Sequence, residues 1–346
     1  MNTITFHIIY TPGTVKYLRL FTLSLLKWLP CSFRLVPNGC PSEEMRLLEQ
    51  FCATHPRLEF MALPWEKMKR HGVVLSYLRQ QETSEYFGFM DSDIWASGDF
   101  LSELTPLLAD HAAVFSGVPF WRRDEQGMWN WRKGNKYVLG ENVKTENGII
   151  LGSTYLAIYH NPTLTKFRQT TGIDFTTYSW YDLSPQTQQQ IAQAGLQAKG
   201  YDTAKLLNIL LYTQGAKFAY HEPVSLHHLG GFSCFGPKRN PRKFWQRKIK
   251  EYVMEPVKFL RESIFESAYR KQCRANDHIR QACTQYFSEL LRDIFAQRAV
   301  KDMIDLKHGQ IQEHVRLLRE QILTLYQEFR GAFADQENKG QNGTSS

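Results

Sequence analysis

The sequence predicts an α/β sheet followed by an α-helical extension. Three observations carry this fold class. Short apolar runs rich in β-branched and aromatic residues alternate with helix-period segments through the first two-thirds of the 346 residues. The composition, 42% hydrophobic and 22% charged, is that of a globular chain long enough for one large core. Beyond Gly236-Pro237, apolar residues recur every three or four positions, and Pro256 and Gly309 are the only proline and glycine between 243 and 330. The expected organisation is a sheet domain over 1–236, a helical region over 237–332 that is basic at its start, and a polar, disordered tail over 333–346.

The strands are expected at Ile4 to Tyr10, Phe33 to Val36, Leu58 to Leu63, Tyr86 to Met90 and Ala112 to Val118. Helices are expected between them, near Val15 to Trp28, Ser42 to Thr54 and Val73 to Glu82. Ser42 with Glu43 and Glu44 behind it reads as an N-cap with an acidic first turn. After Val118 the segment PFWRRDEQGMWNWRKGNKY is too polar and aromatic for core and reads as a long surface loop. A strand over Gly152 to His160 follows, then a helical turn ending at Gly172. A helix from Asp202 to Gly215 comes next, with Gly215 as its stop, and then a short strand, KFAYH. In the C-terminal helices, breaks are expected near Pro256, Ala275 to Asp277 and Gly309.

Cysteine usage and charge narrow the function classes. Cys31, Cys40, Cys52, Cys234, Cys273 and Cys283 form no CxxC pair and no Cys/His cluster, which argues against a zinc site or a disulfide framework. No apolar window is long enough to span a bilayer, and MNTITFHIIYTPG lacks the features of a secretory signal, so a cytoplasmic location is expected. The sequon Asn342-Gly343-Thr344 would matter only in a secretory compartment. The net charge is +8, and Lys238 to Arg274 alone holds twelve Lys/Arg against four Glu, an excess of the same size. This stretch interleaves its cations with Phe244, Trp245, Ile249 and Tyr252, which would suit the inner face of an anionic membrane. No nucleic-acid-binding motif accompanies it, so no nucleic acid partner is expected, and simple solvent exposure is the bland reading. The chain leaves room for an oligomer.

The chemistry centres on EYFGFMDSDIW, residues 85 to 95. Asp91 and Asp93 end an apolar strand, at the edge where open α/β sheets place their ligands. Two carboxylates at i and i+2 can converge on one hard divalent cation, whose charge offsets their repulsion. A bare DxD is common in solvated turns; here the apolar strand before it and Ile94-Trp95 after it favour the ligand reading.

With that motif in place, the chain resembles the nucleotide-sugar-binding half of a GT-A-fold glycosyltransferase and is most similar to the family 2-like group. His71-Gly72 followed by Leu75 is similar to the HG-x-x-L ahead of the DxD in some members. Tyr201-Asp202-Thr203 resembles the acidic motif that opens the acceptor-side helix. SLHHLGGFS, Ser225 to Ser233, looks like the late segment that closes over the diphosphate. The resemblance spans about residues 4 to 233. It implies a Rossmann-like nucleotide-diphospho-sugar transferase sheet. It also implies Mn²⁺ or Mg²⁺ as cofactor, a nucleotide-sugar donor, with UDP preferred, and a glycan or lipid-linked acceptor whose hydroxyl displaces the diphosphate, with inversion as the usual outcome. No QxxRW-like motif is present, which argues against a processive synthase.

On this reading Asp91 and Asp93 hold the metal with His228 or His227. His228, directly before Leu-Gly-Gly, is the preferred one, and a strand-end histidine beside a glycine turn is the bland alternative. The donor would meet Tyr10 and Thr11 after the first strand, Asn38 after the second, His71, Gly72, Asp91, Ser92, Gly230 and Gly231. For Tyr10, Thr11 and Asn38, ordinary turn chemistry is an equal alternative. Asp202 is the candidate catalytic base, or a plain helix cap, and Asp182 is the reserve. Tyr201 stands where the family has a further acid. Trp121, Trp129 and Trp131 offer indole faces to an acceptor sugar or pin their loop to the core. The alternative function is an inactive transferase-like scaffold recruited to membrane or nucleic acid through its basic helices. A nucleotidyltransferase is disfavoured because no glycine-rich phosphate loop follows the first strand.

Overall fold

The structure is a computed structural model that describes residues 4–119, 144–152, 155–198, 200–232, 268–300, 302–305 and 309–341. The first half alternates as expected: β1 (Thr5–Tyr10), α1 (Val15–Trp28), β2 (Ser32–Pro37), α2 (Ser42–Cys52), β3 (Leu58–Phe60), α3 (His71–Gln81) and β4 (Tyr86–Asp91). Then come β5 (Ile94–Ala96), α4 (Leu101–Leu104), β6 (Ala113–Ser116), β7 (Leu156–His160), α5 (Asn161–Thr171), β8 (Tyr178–Ser179), α6 (Pro185–Gln193), β9 (Gly200–Tyr201), α7 (Lys205–Thr213), β10 (Phe218–Tyr220) and β11 (Leu226–His228). The chain closes with α8 (Ala268–Phe295) and α9 (Gly309–Gln341). Among the described residues, no helix is long and apolar enough to cross a membrane.

Seven strands form the main sheet in the order β10-β6-β7-β4-β1-β2-β3. All run parallel except β7, which is antiparallel to both β4 and β6. The C-terminal ends of β1, β2, β4, β6 and β10 therefore share one edge, where β7 begins. Helices cover both faces, which is why the central strands read as nearly continuous apolar runs. On one face, Phe6, Ile8 and Tyr10 pack with α1 and with Cys283, Phe287, Leu290, Val315 and Ile322 of the C-terminal helices. On the other, Phe87 and Phe89 pack with Tyr159, Phe175 and α7 residues such as Leu206 and Leu210. The C-terminal helices thus share a core with the sheet.

Several boundaries differ from expectation, each for a local reason. Ser42 is the first residue of α2 and Pro41 is the cap, with no side-chain cap bond. The strand expected to reach Leu63 ends at Phe60, because as an edge strand β3 pairs with β2 over Leu58 to Phe60 only. No break falls at 275–277: α8 runs through it, and the chain turns after Phe295, where Gln297 takes a positive φ of 53°. Gly309 does open a new helix, which continues to Gln341, past the expected start of the tail at 333. No proline interrupts that polar stretch, and Phe333 is buried on the shared core, so the helix propagates outward from it. Gly172 and Gly215 follow α5 and α7 as left-handed stops, with φ of 70° and 86°.

One buried polar group has a pH signature. His7 of β1 is fully buried, donates through Nδ1 to the Gly88 carbonyl at 2.9 Å and receives Arg34 at Nε2 at 3.0 Å. Burial pushes its pKa down to about 4, and the Arg34 charge adds to this, against the raising effects of the Gly88 carbonyl and Glu82. An unfolded chain takes up this proton near pH 6.5, whereas the folded chain refuses it until about 4, so stability falls as pH falls through that window. The expected loss between pH 6.5 and 4.5 is about 2 kcal/mol from this residue. His7→Gln, which can keep both hydrogen bonds, should flatten the fall in guanidinium midpoint over that range. An unchanged slope removes His7 as its cause.

Candidate active site at the carboxyl edge of the sheet

Asp91 is the last residue of β4, and its backbone N–H donates to the Tyr155 carbonyl at 2.8 Å, just ahead of β7. The chain then turns through Ser92 and Asp93 into β5. This short strand pairs antiparallel with β11, matching Leu226 to Ala96, His227 to Trp95 and His228 to Ile94. Because neighbouring residues of a strand face opposite ways, the pairing decides which histidine meets the carboxylates. His228 turns inward: its Nε2 lies 3.2 Å from Asp93 Oδ1 and 3.6 Å from Asp91 Oδ2. His227 lies on the other side, its ring 5.2 Å from that of Trp95 and its Nε2 hydrogen-bonded with Ser97 Oγ at 2.8 Å. It is not part of the cluster.

Asp91, Asp93 and His228 each bring one ligand atom within 4.8 Å of the other two. The turn after His228 closes on the same group. Leu229 N–H donates to the Asp93 carbonyl at 3.2 Å and Phe232 N–H to Asp93 Oδ2 at 3.3 Å. Gly230 and Gly231 between them have φ of 74° and 96°, backbone that favours glycine. A Cβ on Gly231 would stand 2.9 Å from Thr284 Oγ1, so α8 braces this turn from behind.

The electrostatics of the three residues are those of a site short of positive charge. Burial pushes the Asp91 carboxyl up to about 7; His228 draws it down and Asp93 pushes it further up. Its side chain still keeps 32% of its surface open, so the carboxylate is deep but reachable. For His228, burial lowers the pKa, but the Asp93 and Asp91 carboxylates and the Gly117 carbonyl outweigh it and hold it above the usual value. The Nδ1–H of His228 donates to that carbonyl, which turns Nε2 toward the aspartates. Two carboxylates and an imidazole with its far nitrogen already bonded make a donor set suited to a divalent cation.

A second group lies along the same edge, on the side of β4 that Phe89 faces. His71 opens α3 and sets its ring edge-on to Phe89, 6.1 Å away, two residues before Asp91 on the same side of β4. Burial pushes its pKa down to about 4, opposed by the Asp202 charge beside it, so the ring is neutral. Gly72 is required by close approach: a Cβ there would lie 2.2 Å from the Phe175 carbonyl oxygen. That carbonyl also accepts the Ala204 N–H at 3.0 Å. The helix expected from Asp202 begins at Lys205, because Ala204 adopts a left-handed φ of 60° as its N-cap. Asp202 therefore does not cap the helix with its side chain. Its Oδ1 accepts the Thr203 N–H at 2.8 Å, and its Oδ2 is 3.9 Å from Lys205 Nζ. The carboxylate is half exposed.

The other expected residues have varied surroundings. The Tyr10 side chain is fully buried and bonds Thr22 at 2.6 Å, so its ring belongs to the core; the alternation Phe6, Ile8, Tyr10 puts it there. Asn38, buried directly after β2, has its amide bonded to the Lys69 backbone, accepting its N–H and donating to its carbonyl, each at 2.9 Å. Thr11 lies in the turn after β1, where its N–H donates to Thr14 Oγ1. Ser92 is buried in the turn between the two aspartates. Asp182 is exposed in the turn after β8, and the pairing of Tyr178 with Tyr201 and Ser179 with Gly200 makes that ribbon lead it away from Asp202. Trp121, Trp129, Trp131 and most of the basic stretch 238–274 lie outside the described residues. Sequence reading missed Lys205, Gly117 and Glu222. Their signal was position alone: each follows an edge-reaching strand or opens the helix at that edge.

No family model matches the chain, and no curated protein matches it. Among solved structures, the chain is similar to the galactosyltransferase LgtC in complex with donor and acceptor sugar analogues, at 12% identity over 66% of this chain and 87% of that one, TM-score 0.41. An active-site mutant of LgtC is similar at 10% identity over 66% and 88%, TM-score 0.42. The bifunctional glycosyltransferase WbbM, in its apo form, is similar at 9% identity over 64% of this chain and 39% of that one, TM-score 0.38.

Proposed function

We propose that the chain is a metal-dependent GT-A-type glycosyltransferase that moves a sugar from a nucleoside-diphosphate donor, a UDP-sugar by preference, to a hydroxyl of a glycan or lipid-linked acceptor. The observation that carries this reading is the convergence of Asp91, Asp93 and His228 within 4.8 Å at the carboxyl edge of the sheet. Placement in the family 2-like group, with inversion at the anomeric carbon, is the finer part of the proposal and rests on the sequence motifs.

Asp91, Asp93 and the Nε2 of His228 would hold Mn²⁺. Bound there, the cation would neutralise the charge of the departing nucleoside diphosphate. The chain's own residues do the rest. The Gly230-Gly231 turn, tied to Asp93 through Leu229 and Phe232, lets the backbone come close to a bound diphosphate. Asp202, half exposed beside the neutral His71, accepts the proton of the acceptor hydroxyl as its oxygen attacks. Lys205, buried with its stem against Gly152, sets its ammonium 3.9 Å from that carboxylate and orients it. The basic stretch 238–274 would bring the protein to an anionic membrane surface where lipid-linked acceptors are displayed.

A panel of nucleotide sugars screened by thermal shift, with and without Mn²⁺, tests this. One donor should raise the melting temperature only when Mn²⁺ is present. Stabilisation by no donor under either condition would favour the scaffold reading instead.

A further inference from the structure

The parallel pairing of β10 with β6 sets Tyr220 opposite Phe115, which brings Glu222, two residues on, beside Gly117 at the sheet's carboxyl edge. Glu222 Oε2 accepts the Gly117 N–H at 3.0 Å, the Val118 N–H at 3.3 Å and the Tyr220 hydroxyl at 2.8 Å. The Val118 N–H and the Gly117 carbonyl belong to one peptide group. Its N–H faces the Glu222 carboxylate, and its carbonyl, on the opposite side, receives the Nδ1–H of His228. The peptide is wedged at a residue that only glycine suits: φ at Gly117 is 76°, and a Cβ there would stand 3.2 Å from Ile94 Cδ1 and 3.3 Å from Leu156 Cβ.

We propose that Glu222 is a positioning residue for the cation-binding face of His228, acting through the Gly117-Val118 peptide. The inference rests on the reading of Asp91, Asp93 and His228 as a cation site. A ligating imidazole is oriented and made more basic when its other nitrogen donates to a carboxylate or a carbonyl. Here the two are in series. A carboxylate that accepts an amide N–H polarises the amide and strengthens its carbonyl as an acceptor. That carbonyl in turn fixes the ring and enriches Nε2, which faces Asp93 at 3.2 Å and Asp91 at 3.6 Å. Glu222 therefore couples the end of β10 to a ligand six residues further along the chain and to Asp91 and Asp93 across the sheet.

The test is Mn²⁺ affinity, read from the free-ion electron paramagnetic resonance signal, together with the metal-free melting temperature, for the unaltered chain, Glu222→Leu, Glu222→Gln and Glu222→Asp. Glu222→Leu should weaken Mn²⁺ roughly 10–100-fold, the cost of losing an outer-shell partner. Glu222→Gln retains an acceptor oxygen and should recover most of that loss. Should Glu222→Leu fail to fold, Glu222→Asp, which withdraws the carboxylate by one methylene, should still weaken Mn²⁺ several-fold at an unchanged melting temperature. Lowered melting temperatures with unchanged Mn²⁺ affinity would make Glu222 a structural residue and overturn the proposal. Failure of the unaltered chain to bind Mn²⁺ at all would overturn the cation site itself, and this proposal with it.

Discussion

Asp93→Asn should bind Mn²⁺ about 100-fold more weakly or worse than the unaltered chain while keeping its fold, because a direct ligand matters more than the outer-shell partners whose loss alone costs roughly 10–100-fold. Asparagine is nearly isosteric and leaves a carbonyl oxygen to accept the Phe232 N–H, so the turn over the site should survive. It also removes one of two neighbouring carboxylates whose repulsion helps push Asp91 up to about 7, so the metal-free protein gains something in return for the lost interaction with His228. The metal-free melting temperature should therefore move by only a few degrees, and the Mn²⁺-dependent rise with donor should vanish. An Asp93→Asn chain that still showed the full rise would remove Asp93 as a ligand.

Asp202→Asn should leave donor and Mn²⁺ binding intact and lower turnover by about 10²–10⁴-fold, the usual worth of a positioned general base. The substitution separates the two roles open to this residue. Its side chain caps no helix, since α7 starts at Lys205 behind the left-handed Ala204, and the backbone bond it accepts from Thr203 can be made by an asparagine carbonyl as well. Stability should therefore change little, and a large drop in kcat at constant KM for donor is the expected signature. Turnover close to that of the unaltered chain would mean that the proton goes elsewhere, with the exposed Asp182 the next residue to test.

The main sheet was readable because its central strands are covered on both faces, so their sequences are apolar throughout and bounded by turn residues. β5 and β11 were not readable, because three residues give no periodicity to detect. Yet this short pair is what carries His228 to Asp93, 135 positions away. The sequence preferred His228 to His227 only for its place directly before Leu-Gly-Gly; the register of β11 against β5 supplies the physical reason, turning His228 inward and His227 toward Trp95. Tyr10 and Asn38 show the opposite limit. Both stand at the ends of edge-reaching strands, but a tyrosine in phase with Phe6 and Ile8 points to the core, and the asparagine bonds to the backbone N–H and carbonyl of Lys69. Glu222 was invisible for a third reason: its work is done through a peptide group, and no side-chain pattern records where a backbone carbonyl will point.

The claim at the centre of this account is that Asp91, Asp93 and His228 hold one divalent cation. Pulsed electron paramagnetic resonance of Mn²⁺ bound in the presence of UDP reads the ligand set directly, because a coordinated imidazole leaves a nitrogen coupling in the spectrum. The account predicts that coupling in the unaltered chain and its loss in His228→Gln. A bound ion without nitrogen coupling, or a coupling that persists in His228→Gln, would contradict it.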